Sequence, residues 1–220
     1  AATTAVDLVV AGDVPNAFAP VRPPGHHAMP DRAMGFCLFN NAAIGCRYAQ
    51  ARYGLENVLI IDWDVHHGNG TQAMFYSDPT VFYFSAHQYP YYPGTGARDE
   101  TGEGAGTGTI LNVPLPARTS ADAHRIAFTD ALAAIEERFR PDLVIISAGF
   151  DSRRGDPLGA LLLEDADFVE MTKEVMDLAD RHAGGRIVSL LEGGYDLNNL
   201  GRTVQGHVRA LAGLPSKPRR

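Results

Sequence analysis

The segment from Ile60 to Gly70 places two carboxylates and two histidines directly after an apolar run. In an extended chain residues two apart point the same way, so Asp62, Asp64 and His66 share one side. Burying two carboxylates and an imidazole at a strand end is costly unless they are paired or hold a cation. An Asp-x-Asp pair alone is typical of a polar strand end leading into a turn. The complete pattern Asp-x-Asp-x-His-His-Gly-Asn-Gly is more specific and predicts a metal site.

A third carboxylate completes a plausible ligand set. Asp64, His66 and Asp151 offer three protein ligands and leave a further position for water, which is the form of catalytic zinc sites. These oxygen-rich donors suit Fe(II), Mn(II) or Co(II) equally, so the pattern predicts a divalent metal without choosing among these ions.

Hydrolysis at such a metal requires further groups. A bound ion makes its water acidic and polarises a carbonyl, so the reaction needs a base, a proton for the leaving group and a donor for the oxyanion. His26 and His27 can supply the first two. Tyr195, which follows Gly193-Gly194, can supply the third.

Alternating apolar runs and helical patterns predict the elements that position these groups. Strands are expected at 58–61, 81–87, 143–147 and 187–191, and helices at 36–53, 71–76, 120–140, 165–183 and 198–214. This order predicts an α/β fold with a mainly parallel sheet and helices on both faces. The polar clusters follow the apolar runs, so we expect them at the carboxyl ends of the strands, where such folds carry their chemistry. The convergence of five such clusters in one crevice predicts an enzyme; they are His26-His27, Asp62–His67, Ser85–His87, Asp151 and Glu192–Tyr195.

Length and composition narrow the class of protein. The 220 residues are 45% hydrophobic and 20% charged, which is ordinary for a single globular domain. A net charge of −7 argues against direct nucleic-acid binding, and the basic stretch 217–220 is too short to change that. No apolar stretch reaches the ~20 residues of a membrane span. Cys37 and Cys46 are expected in one helix as buried thiols of a cytoplasmic protein. The sequence leaves open whether copies form a homo-oligomer.

Four motifs together resemble one family. Pro24–Ala28, Asp62–Gly70, Ser147–Asp151 and Glu192–Tyr195 are similar to motifs of the histone deacetylase and acetylpolyamine amidohydrolase family, in order and over about 16–213. The resemblance implies an arginase/deacetylase-like fold and a zinc-dependent hydrolase that removes acyl groups from lysine or other amines. It is greatest to the class II-like branch, which includes bacterial histone deacetylase-like amidohydrolases.

The resemblance also implies roles for single residues. The zinc ligands correspond to Asp64, His66 and Asp151. The catalytic set corresponds to His26, His27, Asp62, Asn69 and Tyr195. His27 matches the general base, partnered by Asn69, and His26 matches its neighbour, oriented by Asp62. Tyr195 matches the tyrosine that stabilises the oxyanion.

Pocket walls and a second ion are implied in the same way. Phe36, after Gly35, and Tyr92 match aromatic walls of the acyl-lysine tunnel. A structural potassium site, formed mostly by backbone oxygens, is implied at Asp62, Asp64, His66, Ser85 and Ala86.

Three departures from the family pattern bear on function. Asn69 stands where one branch has Asp, and Asn is typical of the class II-like branch. Leu158 stands where a polyamine-selective member has Glu, which weakens the polyamine interpretation. Family members also carry strands and helices before the position of Asn16, so 1–220 is expected to be one catalytic domain whose N-terminal part is missing.

Some polar groups receive structural interpretations. His87 is interpreted as a satisfied core group, Glu192 as the support of the Gly193-Gly194 turn, and Tyr91 as loop packing.

Four functions compete at this point. The first is a zinc amidohydrolase acting on acylated lysine in peptides or proteins. The second is a deacylase of polyamines or other small amides, which would need an acidic residue at the position of Leu158. A two-manganese ureohydrolase needs more carboxylates than the sequence offers, and a non-catalytic acyl-lysine binding module is the fourth.

Overall fold

Six strands and six α-helices alternate along residues 1–215, the part of the chain that the structure, a computed structural model, describes. The strands are β1 (Asn16–Ala19), β2 (Val58–Asp62), β3 (Val81–Gln88), β4 (Ile110–Leu115), β5 (Leu143–Ala148) and β6 (Ile187–Leu191). The helices are α1 (Ala2–Val10), α2 (Asn41–Tyr53), α3 (Asn69–Phe75), α4 (Ala121–Glu136), α5 (Asp165–His182) and α6 (Leu200–Leu211), with a short 3-10 helix at Gly104–Gly106. The basic stretch 217–220 lies outside the described residues. Over 1–215 no helix combines the length and apolarity needed to cross a membrane.

The strands form one parallel sheet in the order β1-β6-β5-β2-β3-β4. Val58 of β2 pairs with Val81 of β3 on one side and with Leu143 of β5 on the other. The chain fills one side of β2 with β3 and β4 and then crosses to fill the other side with β5 and β6. Strand order therefore reverses between β2 and β5, the place where open parallel sheets bind ligands beyond the strands' carboxyl ends.

Each face of the sheet carries its own apolar core, because successive strand residues point to opposite faces. Leu59 and Ile61 belong to the core under α4, α5 and α6, together with Phe128 and Phe168. Ile60 belongs to the other core, under α1, α2 and α3. Each fully buried side chain of this size contributes roughly 1.5–3 kcal/mol of transfer free energy. The predicted sheet with helices on both faces is confirmed, and it gives the site a rigid base.

The predicted helix over 36–53 begins too early. Asn40 caps α2 by accepting a hydrogen bond from the Ala43 N–H, and Phe36 has a φ of 65°, which no right-handed helix contains. Apolar residues before Asn40 imitate helical spacing but belong to a loop. Cys37 is consequently outside the helix that holds Cys46, although both thiols are buried and unpaired.

Strand β4 carries no clear signal in the sequence. It lies at the edge of the sheet beside β3, and Pro114 stands opposite His87. Proline interrupts a strand pattern and is tolerated at an edge because no ladder partner needs its N–H. The predicted helix over 120–140 also ends early, at Glu136.

Candidate metal and catalytic site

The predicted metal ligands lie together at the reversal point of the sheet. Asp64 and His66 follow β2, Asp151 follows β5, and one potential ligand atom from each lies within 4.8 Å of the others. His66 Nδ1 is 3.0 Å from Asp64 Oδ1 and 3.1 Å from Asp151 Oδ2. One ring nitrogen and two carboxylates therefore converge on a single point.

The charge of this group suits a divalent cation. Both carboxylates are buried, and burial together with the charge of Asp64 raises the pKa of Asp151 to about 7. Backbone N–H groups hold the carboxylates in place: Gly193 donates to Asp64 Oδ2 at 2.7 Å and Val65 to Asp151 Oδ1 at 2.9 Å. Two fixed, buried carboxylates need a compensating positive charge, and the donor set of two oxygens and one nitrogen is one that zinc accepts.

Gly193 is required by this arrangement. A Cβ at this position would collide with the carboxylates of Asp151 and Asp64. The turn after β6 can therefore approach the ligands and deliver Tyr195 only because residue 193 has no side chain.

The surroundings of His26 favour its charged imidazolium form. Its Nδ1 lies 3.0 Å from Asp62 Oδ2, which also accepts a hydrogen bond from the Tyr83 hydroxyl at 3.0 Å. Burial alone would lower the pKa of His26, but the carboxylates of Asp62 and Asp64 outweigh it and raise the pKa to about 10.

His27 has the opposite electrostatic environment. Its Nδ1 lies 2.8 Å from Asn69 Oδ1, while the Asn69 amide nitrogen lies 3.2 Å from Met29 Sδ. Nδ1 therefore donates to Asn69, and Nε2 keeps its lone pair. Burial, and then the positive charge of His26, lower the pKa of His27 to about 3. The rings of His26 and His27 are 4.1 Å apart between centroids, so the pKa values of two adjacent histidines are shifted in opposite directions.

Glu192 supports the loop of the two histidines rather than the Gly193-Gly194 turn. Its carboxylate accepts hydrogen bonds from the N–H of Gly25 at 2.6 Å and of His26 at 3.1 Å. Ser147 Oγ donates to its other oxygen at 3.0 Å. The prediction that Glu192 supports the Gly193-Gly194 turn is therefore wrong. Its carboxylate instead binds a loop that includes His26, 166 residues away in the chain.

Two tyrosine rings pack against His27 and His66. Tyr92 packs edge-on against His27, with centroids 5.1 Å apart, and against His66 at 6.1 Å. Tyr91, interpreted as loop packing, is instead stacked on His66 at 5.5 Å with an interplanar angle of 20°. Two residues from one loop thus pack against His27 and His66 of the candidate site.

Phe36 and Tyr195 form a second aromatic pair at the candidate site, and Leu158 lies beside Tyr91. Phe36 is 68% exposed, and its ring centroid is 6.1 Å from that of Tyr195. Gly35, whose φ is 55°, turns the chain against the His27 ring, where a Cβ would collide. Leu158 lies at the rim, and its carbonyl accepts a hydrogen bond from the Tyr91 hydroxyl at 3.4 Å. Burial, followed by the charge of Asp64, raises the pKa of Tyr195, so its phenol keeps the proton that a donor needs.

Comparison with known proteins agrees with these motifs. A family model described as the histone deacetylase domain matches residues 1–211. The chain belongs to the histone deacetylase family. It is 47% identical to histone deacetylase 10, chloroplastic, of Oryza sativa subsp. japonica, over 98% of this chain and 50% of that protein. It is also 47% identical to the histone deacetylase-like amidohydrolase of Pseudomonas aeruginosa, over 88% of this chain and 51% of that protein.

A solved structure of the same family has the same fold. The crystal structure of the HDA15 HD domain superposes with a TM-score of 0.91 and 43% identity, over 98% of this chain and 61% of that one. The histone deacetylase family fold predicted from the motifs is therefore confirmed. The chain spans about half the length of these curated relatives.

A buried polar network in this histone deacetylase family chain was not predicted. His67 Nδ1 lies 2.7 Å from Thr95 Oγ1, and His87 Nε2 lies 2.9 Å from the Gly96 carbonyl oxygen, so both histidines hold the loop that carries Tyr91 and Tyr92. His87 is satisfied, as interpreted from the sequence, since Ser85 Oγ lies 2.9 Å from its Nδ1. His67 belongs to the Asp62–Gly70 motif, and a second histidine in that motif was the one feature of the sequence that could have indicated this network.

Three of the residues assigned to potassium lie on the neighbouring strands β2 and β3, and the other two, Asp64 and His66, follow β2. Asp62 is paired with Ser85 in the register of these strands, and Ala86 follows. The set Asp62, Asp64, His66, Ser85 and Ala86 stays a prediction for a structural K⁺.

Proposed function

We propose that this chain is a zinc-dependent amidohydrolase that removes acetyl or other acyl groups from lysine side chains. What supports the proposal is the convergence of Asp64, His66 and Asp151 beside two histidines whose pKa values are shifted in opposite directions, in a chain of the histone deacetylase family. When bound by these three residues, zinc would polarise the acyl carbonyl and lower the pKa of a water molecule.

His27 and His26 would divide the proton transfers. His27 is neutral, and because Asn69 fixes the Nδ1 proton, its Nε2 can accept a proton from the attacking water. His26 is charged beside Asp62 and carries a proton that can be passed towards the leaving amine. The ring proposed as the base and the ring proposed as the acid lie with their centroids 4.1 Å apart.

Tyr195 would donate a hydrogen bond to the carbonyl oxygen as negative charge develops on it. We expect Tyr195→Phe to lower kcat by about 10²–10³-fold with little change in KM, because this hydrogen bond strengthens in the transition state. Steady-state kinetics on an acetyl-lysine peptide measure both constants. Equal kcat in the variant would mean that the turn does not direct the phenol to the substrate.

The pocket walls favour a neutral, slender substrate stem. Phe36, Tyr91 and Tyr92 offer aromatic surfaces, and Leu158 at the rim is 37% exposed and uncharged. Such walls suit the methylene chain of an acyl-lysine, whereas the secondary ammonium of an acetylpolyamine would lack a carboxylate at Leu158.

One comparison of substrates tests the proposed function. We expect the purified chain, loaded with one zinc ion, to hydrolyse an acetyl-lysine peptide with a higher kcat/KM than an acetylated polyamine. Leu158→Glu should reduce this preference by adding the missing charge. A higher kcat/KM on the polyamine would favour the small-amide deacylase, and bound zinc without turnover of either substrate would favour a binding module.

A further inference from the structure

A buried carboxylate outside the metal group joins the segment that carries Tyr195 to Leu158 at the rim of the candidate pocket. Asp156 is 5% exposed and lies in the loop after β5. Its Oδ2 accepts hydrogen bonds from the N–H of Tyr195 at 2.7 Å and of Asp196 at 3.0 Å. Its Oδ1 accepts one from the N–H of Leu158 at 2.9 Å. All three partners are backbone N–H groups, so Asp156 fixes the backbone conformation at Leu158, Tyr195 and Asp196.

The chain around Tyr195 needs such an anchor. Gly193 and Gly194 precede it, and Gly194 has a φ of 133°, a conformation that side chains rarely adopt. Glycines leave the backbone free to turn in many directions, so they do not by themselves aim the residue that follows. The direction of the Tyr195 side chain must therefore be set by contacts of its own backbone and of the residues after it.

A second charged group holds the same segment from the other side. Arg153 Nη1 lies 3.4 Å from Asp196 Oδ2, and its Nε lies 2.8 Å from Asp165 Oδ1 at the start of α5. Asp196 is thus held by its N–H on Asp156 and by its side chain on Arg153. Hydrogen bonds to a carboxylate are roughly twice as strong as neutral ones, which suits a support that must not move.

We propose that Asp156 is a positioning residue that aims the Tyr195 phenol into the pocket. The proposal rests on the function proposed above, in which Tyr195 is the oxyanion donor. Such a donor is effective only when it is already in place as charge develops, and a shift of about 1 Å can cost about 10²-fold in rate. Asp156 binds the amide of Tyr195 itself, and through Leu158 it ties this side of the pocket to the rim.

The variant Asp156→Asn tests the role with almost no change in shape. An amide has one acceptor oxygen, so it can serve either Leu158 or the Tyr195–Asp196 pair, and its NH2 faces the other N–H groups. We expect kcat on an acetyl-lysine peptide to fall about 10–100-fold, as expected for a misplaced catalytic group. KM and zinc content should stay close to those of the unchanged protein.

Combining the variant with Tyr195→Phe separates positioning from a general structural effect. If Asp156 acts through the phenol, Asp156→Asn should cost less than about twofold once the phenol is gone, because coupled residues are not additive. The matched control is Asp142→Asn. Asp142 Oδ2 also accepts two backbone hydrogen bonds, from Glu56 at 3.0 Å and Asn57 at 2.9 Å, but at the amino ends of the strands, so kcat should not change.

A second readout does not depend on activity. With 3-fluorotyrosine in place of the eight tyrosines, the 19F resonance of Tyr195 is identified by its loss in Tyr195→Phe. We expect Asp156→Asn to shift or broaden this resonance and Asp142→Asn to leave it unchanged. A protein without deacylase activity would contradict the proposed function, while the 19F spectrum would still decide the positioning role.

Two results would overturn the inference. One is an unchanged Tyr195 resonance in Asp156→Asn, and the other is the same loss of kcat with and without the phenol. Should Asp156→Asn not fold, Asp156→Glu keeps the charge and both acceptor oxygens but displaces them by one methylene. The same spectrum and the same double variant then apply, with a smaller shift expected in the same direction.

Discussion

Replacing His66 by alanine should remove the catalytic metal and lower kcat/KM on an acetyl-lysine peptide by more than about 10³-fold, since Lewis-acid activation contributes several kcal/mol. His66 Nδ1 is the nitrogen that lies within 3.1 Å of both carboxylates. Without this nitrogen the site keeps only two of its three metal ligands, and the carboxylates of Asp64 and Asp151 still repel each other. Elemental analysis of the purified variant gives the zinc content, and the same preparation gives the rate.

Controls separate metal loss from misfolding. His182→Ala removes a histidine from the end of α5, where it pairs with Glu136 at 3.2 Å, and should change neither zinc content nor rate. Asp64→Ala and Asp151→Ala should both resemble His66→Ala. A variant of Asp151 that kept a full equivalent of zinc would show that the metal is held elsewhere.

Four of the six strands, and the grouping of polar side chains at their carboxyl ends, could be predicted because both depend on local patterns. Apolar runs such as 143–147 mark buried strands, and the polar residues that follow them must lie at the same edge when the sheet is parallel. The sequence did not indicate that β5 is the neighbour of β2, which is what brings Asp151 to Asp64 and His66. Strand order depends on the packing of the whole chain, so here the ligand chemistry of the three residues was the better guide.

The errors arose where distant contacts decide the conformation. Phe36 follows a helical spacing, yet the contact of Gly35 with the His27 ring turns this stretch into a loop. Tyr92 was predicted to line the pocket and Tyr91 only to pack in its loop, and only the fold places both rings against His66. Glu192 was assigned a partner nearby in the chain, whereas its carboxylate binds the N–H groups of Gly25 and His26.

The two adjacent histidines should respond differently to removal. We expect His27→Ala to lower kcat/KM by about 10²–10⁴-fold with zinc retained, the range of a lost general base. His26→Ala should leave more activity, because His26 is charged and cannot act as the base. Rates and zinc content of both variants test this order. A greater loss in His26→Ala would exchange the roles.

The state of His27 depends on the neutrality of its partner. His27 donates its Nδ1 proton to Asn69, an amide, while His26 faces the carboxylate of Asp62. An opposite charge beside an imidazole favours its protonated form and raises its pKa. A bound divalent cation lowers the pKa of both rings, so His27 stays the more easily deprotonated of the two. A base must be unprotonated to work, and Asn69 therefore allows His27 to accept protons at neutral pH and below.

Replacing Asn69 by aspartate should make His27 harder to deprotonate. The added carboxylate stabilises the His27 imidazolium and raises its pKa, so His27 becomes protonated, and inactive as a base, at a higher pH. The acid limb of the profile of kcat/KM against pH should therefore move to higher pH, while the zinc content stays unchanged. Asn57→Asp, which adds the same charge at a half-exposed residue next to the amino end of β2, should leave the limb in place. If the limb in Asn69→Asp stays where it was or moves to lower pH, then Asn69 does not set the protonation of His27, and the division of roles between the two histidines is wrong.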